Sequence, residues 1–239
     1  MVNNQDDLKQ FPYDGYKHIL RTVAEEMMTI NNDDDSTKHI LDAGIGTGYL
    51  YEFYPSNQSD ITGIDLSPKM LDLAQKRIPD GYFIEENINN GLPDCITEKQ
   101  YDVVVSTYMC EHINHTHLMR FIERVLPLLK PFGKLLIAGP VFYDFTTKKS
   151  FQKEYYTDPG LSLYFHVYES IVSDAPNHLS FSFMQIKPHA GVIMVQKSYE
   201  YALQMEESLI EYNRNTMKWK SSQSRKKESG RKVKAHQND

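Results

Sequence analysis

With 239 residues, 40% of them hydrophobic, the chain is long enough for one domain with a substantial core and some decoration. Its two cysteines, Cys95 and Cys110, exclude a disulfide framework and any paired-cysteine zinc spacing, so a reducing, cytoplasmic setting is expected. The formal net charge of −6 divides unevenly, because residues 218–239 hold eight Lys or Arg against Glu228 and Asp239, leaving +6 on the tail and −12 on the rest.

Such an acidic body grips long nucleic acid poorly. Contact with nucleic acid or a protein therefore falls to the tail at 218–239, which reads as disordered and would make the setting nuclear if it is a targeting signal. No apolar run reaches the roughly eighteen residues of a membrane span, and Met1 to Asp7 is polar and acidic where a signal peptide is basic and then apolar. A soluble chain with no membrane partner is expected.

Residues 1–37 read as an N-terminal helical cap, with Ile19, Leu20, Val23, Met27 and Ile30 on one side of a helix. Asn31 to Lys38 is a surface connector. His39-Ile40-Leu41 reads as the end of a buried strand that stops at Asp42, after which Gly44, Gly46 and Gly48 alternate. Thr47 to Phe53 has helical apolar spacing, so the glycines occupy a strand-to-helix turn. Glycine there lets the backbone approach a ligand, and unpaired amides at the helix start offer donors to a carboxylate or phosphate. Asp60 to Asp65 reads as a second strand. Asp65 follows the first glycines by about twenty residues, the separation expected of a carboxylate receiving ribose hydroxyls.

Ser67-Pro68 caps and starts a helix that runs to Arg77, and Tyr82-Phe83-Ile84 reads as a third strand leading into Glu85-Glu86-Asn87. Tyr101 to Ser106 is a fourth. It delivers Thr107, Tyr108, Glu111 and His112 to the carboxyl edge of the sheet, where ligands bind in open α/β folds. His112, His115 and His117 lack a second ligand group at a recognisable spacing, so no metal is assigned. His117 to Lys130 reads as an amphipathic helix bent or ended by Pro127, Lys130 to Gly133 as a turn, and Lys134 to Ala138 as the fifth strand. Val141 to His178 is an aromatic insertion, with nine aromatics among the twenty-seven residues from Phe142 to Tyr168. It is either a lid over a partly apolar acceptor or a mini-core of its own. Leu179 to Lys187 and Ala190 to Lys197 form a hairpin across Pro188, and residues 199–217 read as a C-terminal helix.

Asp42 to Gly48, Asp65 at the end of the second strand, Tyr101-Asp102-Val103-Val104-Val105 and Leu129-Lys130-Pro131-Phe132-Gly133 stand in an order and spacing that resemble the class I S-adenosylmethionine-dependent methyltransferases over about residues 38–140. The resemblance implies an α/β fold: a doubly wound, mostly parallel seven-stranded sheet with a C-terminal antiparallel hairpin, in a domain spanning 38–198. It implies S-adenosylmethionine held by Asp42, Gly44, Gly46, Gly48, Asp65, Leu66, Asn87, Ile88 and Thr107, with Tyr16 (or Tyr13) closing over the methionine end. Both tyrosines also fit simple packing at a helix start. Where the family carries an aspartate after the third strand, this chain has Asn87, whose amide oxygen still accepts; Glu86 competes for that role.

Tyr108 is then the residue that positions the acceptor and His112 the candidate general base, although a His at this spot also serves to support the next helix. The acidic body and the aromatic insertion favour a small-molecule acceptor. Other readings are a protein or RNA methyltransferase guided by the tail, a catalytically inactive S-adenosylmethionine-binding regulator, and a nicotinamide-dependent oxidoreductase, for which the third glycine comes one residue early.

Overall fold

The computed structural model describes residues 13, 15–30, 37–155, 163–212, 214 and 216. Two units are distinguished, residues 1–198 and 199–239. In the second, residues 199–212 are helical, and the basic tail at 218–239 lies outside the described residues.

The first unit is built on a seven-stranded sheet. Its strands are β1 (Lys38–Ala43), β2 (Ser59–Asp65), β3 (Tyr82–Glu85), β4 (Tyr101–Thr107) and β5 (Leu129–Gly139), then, past two short insertion strands, β8 (Leu179–Lys187) and β9 (Ala190–Lys197). The order β3-β2-β1-β4-β5-β9-β8 is parallel up to β5 and closes with two antiparallel strands. Both faces of the central strands are buried, which is why they read as near-continuous apolar runs. Ile40, Val103, Val105 and Leu136 face one cluster; Leu41, Val104, Leu135 and Ile137 alternate onto the other.

On the first face lies α1 (Tyr16–Thr29), whose Ile19, Leu20, Val23 and Met27 are fully buried there. On the opposite face α4 (His115–Val125) brings Leu118, Phe121, Ile122 and Val125 to the sheet beside Ile96 of the short α3 (Asp94–Thr97), whereas Leu71 of α2 (Pro68–Arg77) joins the first face. Each such side chain contributes about 1.5–3 kcal/mol on burial.

Three local expectations change. The segment Thr47 to Phe53 forms only a single 3-10 turn, Tyr49–Glu52, because three left-handed glycines, Gly44, Gly46 and Gly48, precede it and Pro55 follows. The helix expected over His117 to Lys130 starts at His115, where Asn114 Oδ1 accepts from the His117 amide at 2.9 Å, and ends at Val125; Pro127 falls in a 3-10 turn at Leu126–Leu128. Lys130 to Gly133 is no turn but part of β5, crossing a register shift against β4 between Tyr101 and Val103. Asp102 holds that irregularity together. Its carboxylate accepts from Lys130 Nζ at 2.8 Å and from the His39 amide of β1 at 2.8 Å, so the Tyr-Asp pair of the fourth strand serves the sheet itself.

The insertion contains β6 (Val141–Phe142) paired with β7 (His166–Val167), and the helices α5 (Phe145–Tyr155) and α6 (Tyr168–Asp174). Phe142, Phe151 and Phe165 gather into a small core with ring centroids 5.4 and 6.1 Å apart. Tyr143, Phe145 and Tyr164 stay exposed. Among the described residues no helix is long and apolar enough to cross a membrane.

Candidate active site

The glycine turn after β1 is tied to the end of β2. The amides of Gly44 and Ile45 both donate to the Ile64 carbonyl (2.8 and 3.0 Å), and that of Gly48 to Ile45 (2.9 Å). The Gly46 amide donates to Asp65 Oδ2 at 2.8 Å, while the Ser67 amide donates to Asp65 Oδ1 at the same distance. These four turn amides are therefore internally bonded, which replaces the expectation of unpaired donors at a helix start. The Ser67 side chain makes no capping bond; its backbone does the holding. From α2, Arg77 donates to Glu52 at 2.8 Å and to the Thr47 carbonyl, and lies 5.3 Å from the Tyr49 ring centroid.

The three glycines share left-handed φ values of 77°, 55° and 68° but meet different neighbours. A Cβ on Gly44 would lie 2.5 Å from the Met109 side chain, and one on Gly48 3.2 Å from Ile78 of the segment after α2. At Gly46 it would meet nothing within 4 Å. Only Gly46 of the three faces open space.

Beneath this turn sits Asp42, 1% exposed, with no hydrogen-bond partner at Oδ1. Burial pushes its carboxyl up to about 8, with the neighbouring Tyr51 hydroxyl pulling it down and the Asp65 charge adding to the rise. Leu66, just past β2, is 66% exposed, an apolar side chain standing beside the Asp65 carboxylate. Beyond β3, Asn87 Oδ1 accepts from the Asn89 amide at 3.0 Å, and Glu86 folds back to accept from the Asn87 amide at 2.8 Å. Each of the two competitors thus has one oxygen in local use. The Ile88 carbonyl accepts from Arg124 at 3.2 Å, and Ile88 packs on the core.

At the end of β4, Thr107 is half-buried and Tyr108 takes φ 53°, an uncommon conformation for a large side chain that marks a constrained position. Its amide donates to Ala138 of β5 at 2.8 Å. The Tyr108 ring meets Tyr16 at 4.7 Å and Tyr13 at 5.6 Å, and Tyr16 stacks on Tyr49 at 6.1 Å. Through Tyr16 the start of α1 touches both the glycine turn and the loop after β4.

The two residues at the following 3-10 turn part company. Glu111 is 2% exposed and its Oε1 has no partner, whereas His112 is exposed to solvent. Burial pushes the Glu111 carboxyl up to about 8. Gly139 makes room for it: a Cβ there would lie 3.3 Å from Glu111 Oε2 and 3.5 Å from the Tyr108 backbone. The histidines do not converge. His115 bonds Asp174 at 2.8 Å, and His117 bonds Asn114 at 2.9 Å. Among the described residues no group of three or more His, Cys, Asp or Glu side chains is arranged to hold a metal ion.

Tyr49 and Met109 belong to this site without having been singled out from sequence. Their only local signal is adjacency to Gly48 and Tyr108; the contacts that bring them in are tertiary.

Residues 40–133 match the family model described as a methyltransferase domain. The chain is 30% identical over 147 residues to malonyl-acyl-carrier-protein O-methyltransferase of Halalkalibacterium halodurans, covering 55% of this chain and 53% of the relative. It is 28% identical over 158 residues to ubiquinone biosynthesis O-methyltransferase of Coxiella burnetii, covering 63% and 60%. The chain spans about half the length of the first of these relatives. Among solved structures, magnesium protoporphyrin IX methyltransferase from Synechocystis PCC 6803 with bound S-adenosylhomocysteine superposes with a TM-score of 0.60 at 17% identity, over 78% of this chain and 85% of that one. The plantazolicin methyltransferase BpumL in complex with S-adenosylhomocysteine gives 0.55 at 15% identity, over 82% and 88%. At these identities the structural likeness is one of fold.

Proposed function

We propose that this chain, whose fold and residues 40–133 belong to the class I S-adenosylmethionine-dependent methyltransferases, binds S-adenosylmethionine at the Gly46–Asp65 turn and transfers its methyl group to a small-molecule acceptor. The observation that carries this reading is the open space over Gly46, bounded by a carboxylate already fixed through two backbone amides. When bound, the cofactor supplies a methyl group activated by the positive sulfonium.

The residues present fit that group. Each Asp65 oxygen keeps a lone pair after accepting one amide, enough to receive the ribose hydroxyls. Leu66 and Ile88 offer apolar surface for the base, and the Asn87 carboxamide oxygen accepts from its amino group. Asp42, with its orphaned buried oxygen, is placed for a donor of the amino-acid end; an unsatisfied buried acceptor costs about 1–3 kcal/mol, which a ligand donor relieves. Thr107 and the Tyr13, Tyr16 and Tyr108 rings enclose the reacting end and exclude water.

In-line transfer needs no covalent enzyme intermediate, so the protein contributes chiefly by alignment. Tyr108 positions the acceptor. Where the acceptor loses a proton, Glu111 is the base in place of the exposed His112 once it is ionised, toward pH 8. The test is calorimetric titration of the purified chain with S-adenosylmethionine, S-adenosylhomocysteine and NAD. Tight binding of the first two with no heat from NAD supports the reading; preference for NAD, or no S-adenosylhomocysteine binding, rejects it. Turnover with any acceptor from a small-molecule screen separates an enzyme from a regulator that only binds.

A further inference from the structure

A cavity of about 280 Å³ lies in the aromatic insertion, away from the Gly46 turn. Its walls come from the start of α4 (His115), from α5 (Phe145, Lys148, Gln152), from the stretch Leu163 to Val167 and from Ser170 of α6. Two hydrogen bonds fasten it to the segment that follows β4: the Tyr164 amide donates to the Glu111 carbonyl at 2.7 Å, and His166 Nε2 donates to the Cys110 carbonyl at 2.8 Å. The cavity therefore borders the backbone that carries Glu111.

The chemistry of its lining is one-sided. Among the described residues no carboxylate lines it, although the chain outside the tail is strongly acidic. Lys148 is half-buried, its Nζ donates to the Phe165 carbonyl, and it makes no ion pair among the described residues. An ammonium short of solvent and lacking a counter-charge is a site for an anion; its burial correspondingly draws the Lys148 pKa down. Asp174, off the lining, is engaged by His115 at 2.8 Å. His166 Nε2 is the donor, because a carbonyl only accepts, and burial, with the His115 and Lys148 charges adding to it, lowers the His166 pKa. At the rim stand two exposed rings, Phe145 (61%) and Tyr164 (46%). The volume falls just below the roughly 300–1,000 Å³ of drug-sized pockets.

We infer that this cavity binds a small organic anion, a carboxylate or phosphate monoester on a single ring, with its charge on Lys148 and its ring against Phe145 and Tyr164. This anion site stands apart from the proposed function, since none of Thr107, Tyr108 or Glu111 is among its lining residues.

Calorimetry on the full chain without cofactor uses benzoate, phenyl phosphate and neutral benzamide at millimolar concentrations. The expected result is that at least one anion binds tenfold or more tightly than benzamide, and the tighter of the two identifies carboxylate or phosphate as the preferred head group. Lys148→Gln should lower anion affinity tenfold or more and leave benzamide unchanged, while Lys148→Arg retains the anion. Phe145→Ala, at an exposed position that spares the fold, should weaken benzoate and benzamide equally. Neither anion binding more tightly than benzamide, no binding of either anion, or anion affinity untouched by Lys148→Gln overturns the inference. S-adenosylhomocysteine titrated into the same samples keeps the two readings apart: anion binding without it leaves the cavity assignment standing and rejects the proposed function, and the reverse rejects the cavity alone.

Discussion

Replacing Glu111 by Gln keeps the shape of the side chain and removes its titration. In the folded chain burial lifts the carboxyl from 4.5 to about 8, so the native state holds a proton that the unfolded state releases across that window. The unfolded state binds fewer protons there, and stability falls as pH rises. The group costs nothing below pH 4.5, and its penalty grows by about 1.4 kcal/mol per unit to about 5 kcal/mol above pH 8. Glu111→Gln removes that slope. Any amide hydrogen left unbonded costs about 1–3 kcal/mol, but equally at every pH, so it moves the curve without tilting it. Asp42, lifted from 3.8 to about 8, tilts both proteins alike and cancels in the difference. Urea unfolding of both proteins at about pH 5, 7 and 9 measures this. The variant should gain on wild type by several kcal/mol between the lowest and highest pH. Parallel stability curves would refute the buried, unpaired placement of Glu111.

The remaining expectations concern the glycine turn and the tail. Gly46→Ala projects a methyl into open space, so it should fold with a backbone cost of about 1–2 kcal/mol yet lose S-adenosylhomocysteine affinity; unchanged calorimetric binding would move the cofactor elsewhere. Gly44→Ala, by contrast, collides with Met109 and should lower stability in urea by about 1–3 kcal/mol beyond its backbone strain, an effect that Met109→Ala should partly relieve. Asp65→Asn offers one acceptor where two amides and a ribose compete, and S-adenosylhomocysteine affinity should fall about tenfold or more; equal affinity in a folded variant would remove Asp65 from the site. Truncation after Met217 should leave S-adenosylhomocysteine binding unaltered and abolish any salt-sensitive nucleic-acid binding, whereas nucleic-acid binding by the truncated chain would place that contact on the acidic body.

The fold class was legible because its signals are properties of consecutive residues. Apolar runs at strand length, helical spacing in residues 19–30, alternating glycines after Asp42 and the Pro188 hairpin all depend on backbone chemistry within a few positions. The division of labour among Gly44, Gly46 and Gly48 was not legible, since all three share the left-handed turn and differ only in distant neighbours: Met109 over the first, Ile78 over the last, open space over the middle one. Of the adjacent polar groups after the fourth strand, the sequence favoured His112 over Glu111 as the base. Burial separated them, through the bare Cα of Gly139 on β5 and the 3-10 turn that faces one inward and leaves the other in solvent. The aromatic insertion was recognisable by composition, but composition does not say which rings meet. Phe142, Phe151 and Phe165 close on one another while Phe145 and Tyr164 stay exposed at a cavity with Lys148, because side-chain direction is decided by what the rest of the chain packs against it.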